Sequence, residues 1–314
     1  MIAPRQLLGL PAPAKVNLFL HVLGRRADGY HEIESVFAPI GLWDTLDFAL
    51  REDGRIEREG DRTGPPDADL AVRAARALQQ HAQSVGRAGA ERLGATIAVQ
   101  KRVPVGAGLG GGSSDAATTL IAVNCLWRLG LSRHALIEIG ARLGADVPFF
   151  LGEGAAFVEG IGERVSAVHL PAAWYLVVFP QVAVSTAEIF ADPKLTRDTK
   201  RTTISSFSAA LSRTDSALFG TNDLEPVVRS RCAPVDQALR LLGRLAPARM
   251  SGSGSAVFCR LRSAEQAQRL LERVRRQMPP DWSAWAVPGL EELPLADWLR
   301  GGQSRGAWEA GVPK

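Results

Sequence analysis

Cysteine is scarce in this sequence, and its uninterrupted apolar segments are short. The three cysteines, Cys125, Cys232 and Cys259, are odd in number and widely separated along 314 residues. They match neither a disulfide framework nor a metal-binding pattern, which favours a reducing compartment and predicts a cytoplasmic protein. The run Leu7-Leu8 is interrupted at Gly9 and is too short for the core of a signal peptide. No apolar segment reaches the length of a membrane span, so no membrane attachment is expected.

A strong excess of either charge is also absent. The chain carries 37 Lys and Arg against 33 Asp and Glu, for a net charge of +4, and the basic residues are scattered. A nucleic-acid-binding protein more often shows one dense basic stripe interleaved with aromatic residues, so no nucleic-acid partner is expected. The mild excess suits an anionic small-molecule substrate, although an ordinary solvated surface explains most of it equally well. The sequence does not indicate an oligomeric state.

Strand and helix signals alternate through both halves of the chain, which predicts an α+β fold. Strands are predicted at 16–21, 36–50, 95–99, 174–180, within 251–261 and at 282–287. Helices are predicted at 70–81, 116–123, 132–144, 185–190, 224–245 and 263–277. Residues 51–69 have the composition of a loop, and residues 194–221 are weakly patterned. We predict an N-terminal domain at 1–165, a C-terminal domain at 166–298, and a disordered or loosely attached Gly-rich tail at 299–314.

The most distinctive segment is 104-PVGAGLGGGSSDAAT-118, between a predicted strand and a predicted helix. Gly106, Gly108 and Gly111 match G-x-G-x-x-G, which is a weak pattern by itself. A Rossmann loop requires an acidic residue about twenty positions later at the end of a second strand, and the nearest candidate, Glu138, lies in helical sequence. A Walker A loop requires a Gly-Lys pair, which this sequence lacks. The flanking strand and helix argue against a flexible linker.

Helix physics predicts an anion-binding role for this segment. The first N–H groups of a helix have no internal partners and carry partial positive charge, and glycines let the main chain curl closely around a ligand. We therefore predict a cradle for a nucleotide triphosphate. Asp115 would oppose a bare phosphate, although it also suits the first turn of a helix. The predicted cradle consists of Pro104, Val105, Gly106, Ala107, Gly108, Leu109, Gly110, Gly111, Gly112, Ser113 and Ser114.

Two charged residues are candidates for the chemistry, and each has an ordinary alternative. Asp146 follows a helix end at Gly144, and Pro148 is expected to keep Val147 extended, so the carboxylate should be held rigidly. A rigid carboxylate can accept a proton from a reacting hydroxyl, but a polar loop residue fits the same spacing. Lys15 precedes a strand, where a surface lysine is the usual case.

Four separated segments together resemble a known enzyme family. The segment 104–117 resembles the second signature of the galactose, homoserine, mevalonate and phosphomevalonate (GHMP) kinase superfamily. Three other segments resemble the branch of that superfamily whose substrate carries a cytidine diphosphate group: 12-APAKVNLFLHVLGRRADGYHEIES-35, 144-GADVPFFL-151 and 249-RMSGSGSAVF-258. The resemblance covers roughly residues 10–290, and four motifs in order are far more specific than one. Residues 64–66 and Asp69 depart from the expected Asn-containing segment, and the tail after Leu299 has no counterpart.

The resemblance implies an ATP-dependent kinase of a polyol hydroxyl in isoprenoid biosynthesis. It implies a ribosomal-S5-like nucleotide domain in the N-terminal half and a ferredoxin-like domain in the C-terminal half. It also implies that Asp146 is the general base and that Lys15 is the cation beside it. Mg²⁺ is expected to be carried by the nucleotide phosphates rather than by a dedicated protein cage, with Ser114 a candidate for approaching it.

The same resemblance assigns the cytosine end of the substrate to Tyr30, His31 and Phe190. Aromatic stacking with a few edge hydrogen bonds suits a flat base. Asn17, next to Lys15 on one strand, is expected to hydrogen-bond substrate oxygens.

Two alternatives remain at this point. One is another GHMP-type kinase acting on homoserine or mevalonate, against which the Tyr30-His31 pair argues. The other is a nucleotide- or RNA-binding protein without catalysis, which would not explain Asp146 beside Lys15. Whether Gly252 and Gly254 form a second phosphate loop or a plain turn is not decided by the sequence.

Overall fold

Two long antiparallel strands form the centre of the first sheet. The computed structural model describes residues 5–61, 64–65, 67–213 and 219–300. Strand β1 (Gln6–Arg25) turns through Asp28-Gly29 into β2 (His31–Arg51), and Gly29 adopts a φ of +89° that suits glycine. The sheet is completed by β3 (Ile56–Gly60), β4 (Gly94–Gln100), β5 (Ala156–Gly160) and β6 (Arg164–Ala167). Its order is β3-β4-β2-β5-β6, with β1 paired to β2, and only the β3–β4 pair is parallel.

Helices cover this sheet and bury its apolar side chains. They are α1 (Leu70–Ser84), α2 (Gly111–Leu126), α3 (Arg133–Ala141) and α4 (Val147–Phe150). Helix α2 is buried along most of its length and packs against α1 and β1, which explains its rich content of alanine and branched apolar residues. The glycine stretch therefore leads into the helix that contributes the most buried residues to the N-terminal half.

The C-terminal half forms a second, four-stranded antiparallel sheet in the order β10-β7-β9-β8. Its strands are β7 (Trp174–Phe179), β8 (Ala248–Met250), β9 (Val257–Leu261) and β10 (Ser283–Pro288). The helices are α5 (Thr186–Ala191), α6 (Ile204–Arg213), α7 (Glu225–Arg231), α8 (Ala233–Gly243), α9 (Ala264–Arg275) and α10 (Ala296–Leu299). The sequence of strands and helices from β7 to β10 is the ferredoxin-like β-α-β-β-α-β arrangement.

Each half contributes apolar residues to the hydrophobic core of the other half. Leu20, Val22 and Ile33 of the long strands belong to the core of the second sheet. In return, Leu293 and Leu295, which precede α10, pack into the core of the first sheet. A third cluster of buried apolar residues contains members from both halves, so the interface between the two sheets is also a hydrophobic core. The predicted division between residues 165 and 166 falls within β6, and the second sheet begins at β7.

Several local predictions were wrong because tertiary contacts decided them. The predicted loop 51–69 contains β3, a charged edge strand held by parallel pairing to β4. The weakly patterned segment 194–221 contains α6. The predicted helix 224–245 is broken at Cys232 into α7 and α8. Val147 is not extended but starts α4, because Pro148 is tolerated in the first turn of a helix.

The predicted tail lies outside the described residues from residue 301 onward, whereas Leu299 ends α10 and packs against the first core. No described helix combines the length and the apolar character that a membrane crossing requires.

Candidate active site

Lys15 and Asp146 meet at the centre of the candidate site. Lys15 Nζ lies 3.4 Å from Asp146 Oδ2, donates to Asn17 Oδ1 at 2.6 Å, and sits 4.4 Å from the centroid of the Phe37 ring. The lysine is 3% exposed, whereas the Asp146 side chain is 30% exposed at the start of α4. A buried ammonium with three favourable neighbours is held in one position, and the carboxylate beside it faces solvent. The sequence-predicted pair is therefore brought together.

Asn17 continues the same polar row along β1. It is 1% exposed, and its Nδ2 donates to Ser35 Oγ on β2 at 2.9 Å. Its backbone N–H donates to Ser251 Oγ at 3.2 Å. Because both ends of its amide are engaged, Asn17 orients Lys15 as much as it offers a hydrogen bond to a ligand.

The predicted cradle wraps around the N-terminus of α2. Gly106, Gly108 and Gly110 have φ values of +67°, +74° and +73°. Every second residue of this stretch therefore adopts the left-handed conformation, which residues other than glycine rarely adopt. Lys15 N donates to Leu109 O at 2.9 Å, which fixes the cradle against the strand that carries the catalytic candidate. The cradle borders a cavity of about 350 Å³, large enough for part of a nucleotide. Its other walls come from Arg58, Ala68, Asp69, Leu70, Lys101 and Asp115.

A second glycine loop packs directly on the first. Ser251 Oγ donates to Gly108 O at 2.9 Å, and Ala256 N donates to Ala107 O at 3.0 Å. A Cβ placed on Gly108 would lie 2.1 Å from Ser251 O and 3.1 Å from Gly254 N. The Gly252–Gly254 turn thus supports the cradle by backbone contact, whereas the sequence left open whether it was a second phosphate loop or a plain turn.

Buried charges lie beneath the cradle. Lys101 Nζ bonds Asp44 Oδ2 at 2.5 Å and Asp115 Oδ2 at 2.7 Å. Burial raises the pKa of Asp115 to about 7, against the lowering effect of Lys101 and with a further raising effect from Asp44. Asp44 Oδ1 also accepts from the backbone of Val103 at 2.8 Å, which ties the segment entering the cradle to β2. Asp115 is therefore part of a structural cluster, as well as a first-turn residue of α2.

Two buried polar atoms in this region have no hydrogen-bond partner within the described part of the chain. They are Ser114 Oγ and Asp115 Oδ1, both in the first turns of α2. Ser113 lines the cavity, whereas Ser114 is buried behind it, 1% exposed. The predicted cradle residue Ser114 thus has an unsatisfied oxygen close to the cavity rather than in its wall.

The residues predicted to hold cytosine lie at the far end of the long strands. The rings of His31 and Phe190 lie in tilted contact, with centroids 5.0 Å apart and an angle of 33° between planes. Tyr30 is 61% exposed in the turn before His31. Arg197, which the sequence analysis missed, donates from Nε to His31 Nε2 at 3.0 Å. Burial, and then the charges of Arg197 and Arg25, lower the pKa of His31.

Sequence reasoning also missed the segment 222–225, which joins the two halves at the site. Asn222 Nδ2 donates to Met250 O and Gly252 O, each at 2.8 Å, and so holds the second glycine loop. Asp223 Oδ2 accepts from the backbone of Val22 on β1 at 2.8 Å. An Asn-Asp pair before a helix is also the pattern of an ordinary cap, so only the fold reveals these partners.

Two family models match the chain. The model of the GHMP kinases N terminal domain matches residues 69–154, and that of the GHMP kinases C terminal domain matches residues 199–280. The fold, the glycine cradle and these matches define a GHMP-type kinase.

Comparison with individual relatives narrows this class. A curated 4-diphosphocytidyl-2-C-methyl-D-erythritol kinase from Herminiimonas arsenicoxydans is 49% identical over 293 residues, which is 93% of this chain and 98% of the relative. A crystal structure of 4-(cytidine 5'-diphospho)-2C-methyl-D-erythritol kinase matches with a TM-score of 0.73 and 33% identity, over 90% of this chain and 98% of that one. The chain belongs to the family of 4-diphosphocytidyl-2-C-methyl-D-erythritol kinases, which confirms the resemblance.

Homoserine kinase from Cytophaga hutchinsonii shares the fold alone. Its crystal structure matches with a TM-score of 0.67 at 17% identity, over 93% of this chain and 97% of that one. A common fold at such low identity says nothing about a shared substrate.

Proposed function

We propose that this chain transfers the γ-phosphoryl group of ATP to the 2-hydroxyl of 4-diphosphocytidyl-2-C-methyl-D-erythritol, giving the 2-phosphate and ADP. The reaction belongs to the non-mevalonate route to isoprenoid precursors. Family membership over nearly the whole chain supports the substrate. The observation that carries the chemistry is the 3.4 Å pair of Lys15 Nζ and Asp146 Oδ2, fixed to the cradle through Leu109.

Asp146 acts as the general base. Its partly exposed carboxylate accepts the proton of the 2-hydroxyl while the oxygen forms a bond to the γ-phosphorus and the bond from phosphorus to the ADP oxygen breaks. Lys15 stabilises the negative charge that develops on the attacking oxygen. Because Asn17 and Phe37 hold the ammonium in place, little reorganisation is needed during the transfer.

The cradle of residues 104–114 positions the phosphates. Its glycines line the cavity at the N-terminus of α2, where backbone N–H groups suit the triphosphate. Mg²⁺, when bound to the nucleotide, neutralises charge on the phosphoryl oxygens. The unpartnered Ser114 Oγ is an oxygen donor of the type that fits this ion, and no acidic cage is needed.

Tyr30, His31 and Phe190 bind the cytosine end of the substrate. The exposed Tyr30 ring and the Phe190 ring provide stacking surfaces, and His31 provides an edge hydrogen bond. Asn17 hydrogen-bonds the polyol near the reacting oxygen. In this arrangement the cytidine group binds remotely from the transferred phosphoryl group and orients the hydroxyl.

We propose a nucleotide-binding half, predicted as residues 1–165, and a second half, predicted as residues 166–298, with the boundary placed after β6 (Arg164–Ala167) because this strand pairs in the first sheet. The enzyme acts in the cytoplasm, because its three widely separated cysteines favour a reducing compartment.

The test is ADP release by the purified protein with ATP against a panel of alcohols. The panel contains 4-diphosphocytidyl-2-C-methyl-D-erythritol, the same polyol without its cytidine diphosphate group, homoserine and mevalonate. We expect release with the first compound alone, and its loss when EDTA removes Mg²⁺. Turnover of homoserine or mevalonate instead would assign the chain to another GHMP activity. Salt-sensitive RNA binding without ADP release would refute catalysis altogether.

A further inference from the structure

Arg197 connects His31 with the backbone of Phe190 at the candidate cytosine site. Its Nε donates to His31 Nε2 at 3.0 Å, and its Nη2 donates to Phe190 O at 2.8 Å and Asp192 O at 2.7 Å. Its Nη1 donates to Leu195 O at 3.1 Å. One guanidinium therefore connects β2 with the segment that follows β7 and carries Phe190.

The bond to His31 determines where the imidazole carries its proton. A guanidinium in a protein always donates and never accepts, so His31 Nε2 must accept. A neutral His31 consequently has its proton on Nδ1. Protonation of Nε2 would place its N–H opposite the N–H of Arg197, so that two donors face each other. Burial and the charges of Arg197 and Arg25 lower the pKa of His31, which also favours the neutral imidazole.

We propose that Arg197 is a positioning residue that holds His31 as the Nδ1–H tautomer, and that this tautomer selects cytosine over uracil in the substrate. The inference rests on the proposed function. Cytosine presents an unprotonated N3, which accepts a hydrogen bond, whereas N3 of uracil carries a proton and donates. A fixed Nδ1–H donor is complementary to the first base and leaves two donors unpaired against the second.

Nucleoside diphosphates test this selection without turnover. Affinities of CDP and UDP are measured by calorimetry for the wild type, Arg197→Met and Arg201→Met. The Arg201 variant is the matched control, because this arginine lies four residues further along the same segment and pairs with Glu32 and Glu34 instead of His31. For the wild type we expect CDP to bind about 10- to 100-fold more tightly than UDP.

The ratio of affinities separates positioning from general support. If Arg197 only braced the segment 190–195, its loss would weaken CDP and UDP equally and leave the ratio unchanged. We expect the ratio to fall to within about threefold of unity in Arg197→Met and to persist in Arg201→Met. Histidine ¹⁵N spectra give a second readout, with His31 protonated at Nδ1 in the wild type and a tautomer mixture in Arg197→Met.

Three results would overturn the inference: no preference for CDP in the wild type, a preserved ratio in Arg197→Met, or His31 protonated at Nε2. An equal loss of selectivity in Arg201→Met would overturn it as well. These results are distinguishable from failure of the proposed function, which appears as no ADP release with the cytidine-bearing alcohol. A wild type that turns over this alcohol but fails the CDP and UDP comparison keeps its function and loses the role given to Arg197.

Discussion

Replacing Gly108 by alanine tests whether contact between the two glycine loops shapes the nucleotide site. Two penalties act at this position. The residue has a φ of +74°, in which alanine costs about 1–2 kcal/mol. The new Cβ would also lie 2.1 Å from Ser251 O, so the loops must separate by at least about 1.3 Å to reach an ordinary contact distance of about 3.4 Å.

The displacement should lower both catalysis and stability. A shift of about 1 Å in a group that positions substrate costs about 10²-fold in rate. We therefore expect kcat/KM for ATP to fall by about 10²-fold in Gly108→Ala, while the free energy of unfolding falls by about 1–3 kcal/mol. Turnover is measured by coupled ADP release and stability by urea denaturation followed by circular dichroism.

Gly130→Ala is the matched control. Gly130 follows α2 with a φ of +67°, but a Cβ there meets nothing within 4 Å. It should share the conformational cost of about 1–2 kcal/mol and keep normal turnover. If Gly108→Ala folds and retains wild-type kcat/KM for ATP, or if both variants lose the same activity, the packed-loop explanation is incorrect.

Three other predictions concern the base, the stacking surface and a buried histidine. Asp146→Asn should fold normally and lose about 10²–10⁴ in turnover, measured in single-turnover reactions, and near-normal rates would remove the general-base role. Tyr30→Ala should raise KM for the cytidine-bearing substrate about 5- to 100-fold through lost stacking, with kcat nearly constant, whereas a change confined to kcat would contradict stacking. Burial lowers the pKa of His21 from 6.5, Asp223 opposes this and Arg249 adds to it. Because the folded-state pKa is the lower one, the contribution of His21 to stability is complete above pH 6.5 and is lost as the pH falls below it. Urea denaturation between pH 8 and pH 5.5 should therefore show a smaller loss for His21→Phe than for the wild type, and parallel curves would argue against this assignment.

Local signals in the sequence were reliable where a residue acts on its near neighbours. Ser132, Ser185 and Ser263 were predicted to begin helices, and each side chain accepts a backbone N–H three residues later. The cap bond forms within one turn, so it depends little on the rest of the fold. The cradle at the start of α2 was predictable for the same reason.

Distant partners were not predictable. β3 is a run of charged residues that becomes a strand only because β4 is available for pairing. Asn222 and Arg197 resemble ordinary loop residues, and their roles come from carbonyl groups and a histidine elsewhere in the chain. The sequence around neither residue predicts these partners.

The sequence by itself determined the class of this enzyme and the types of residue at its candidate active site. Helix caps, glycine conformations and family motifs each depend on short stretches of chain, so the sequence alone reveals them. Only the tertiary structure decided that Lys15 and Asp146, 131 positions apart, lie within 3.4 Å, and that two glycine loops support each other. The physical reason is that such contacts depend on how whole sheets pack, and packing sums many weak apolar interactions that no single segment encodes.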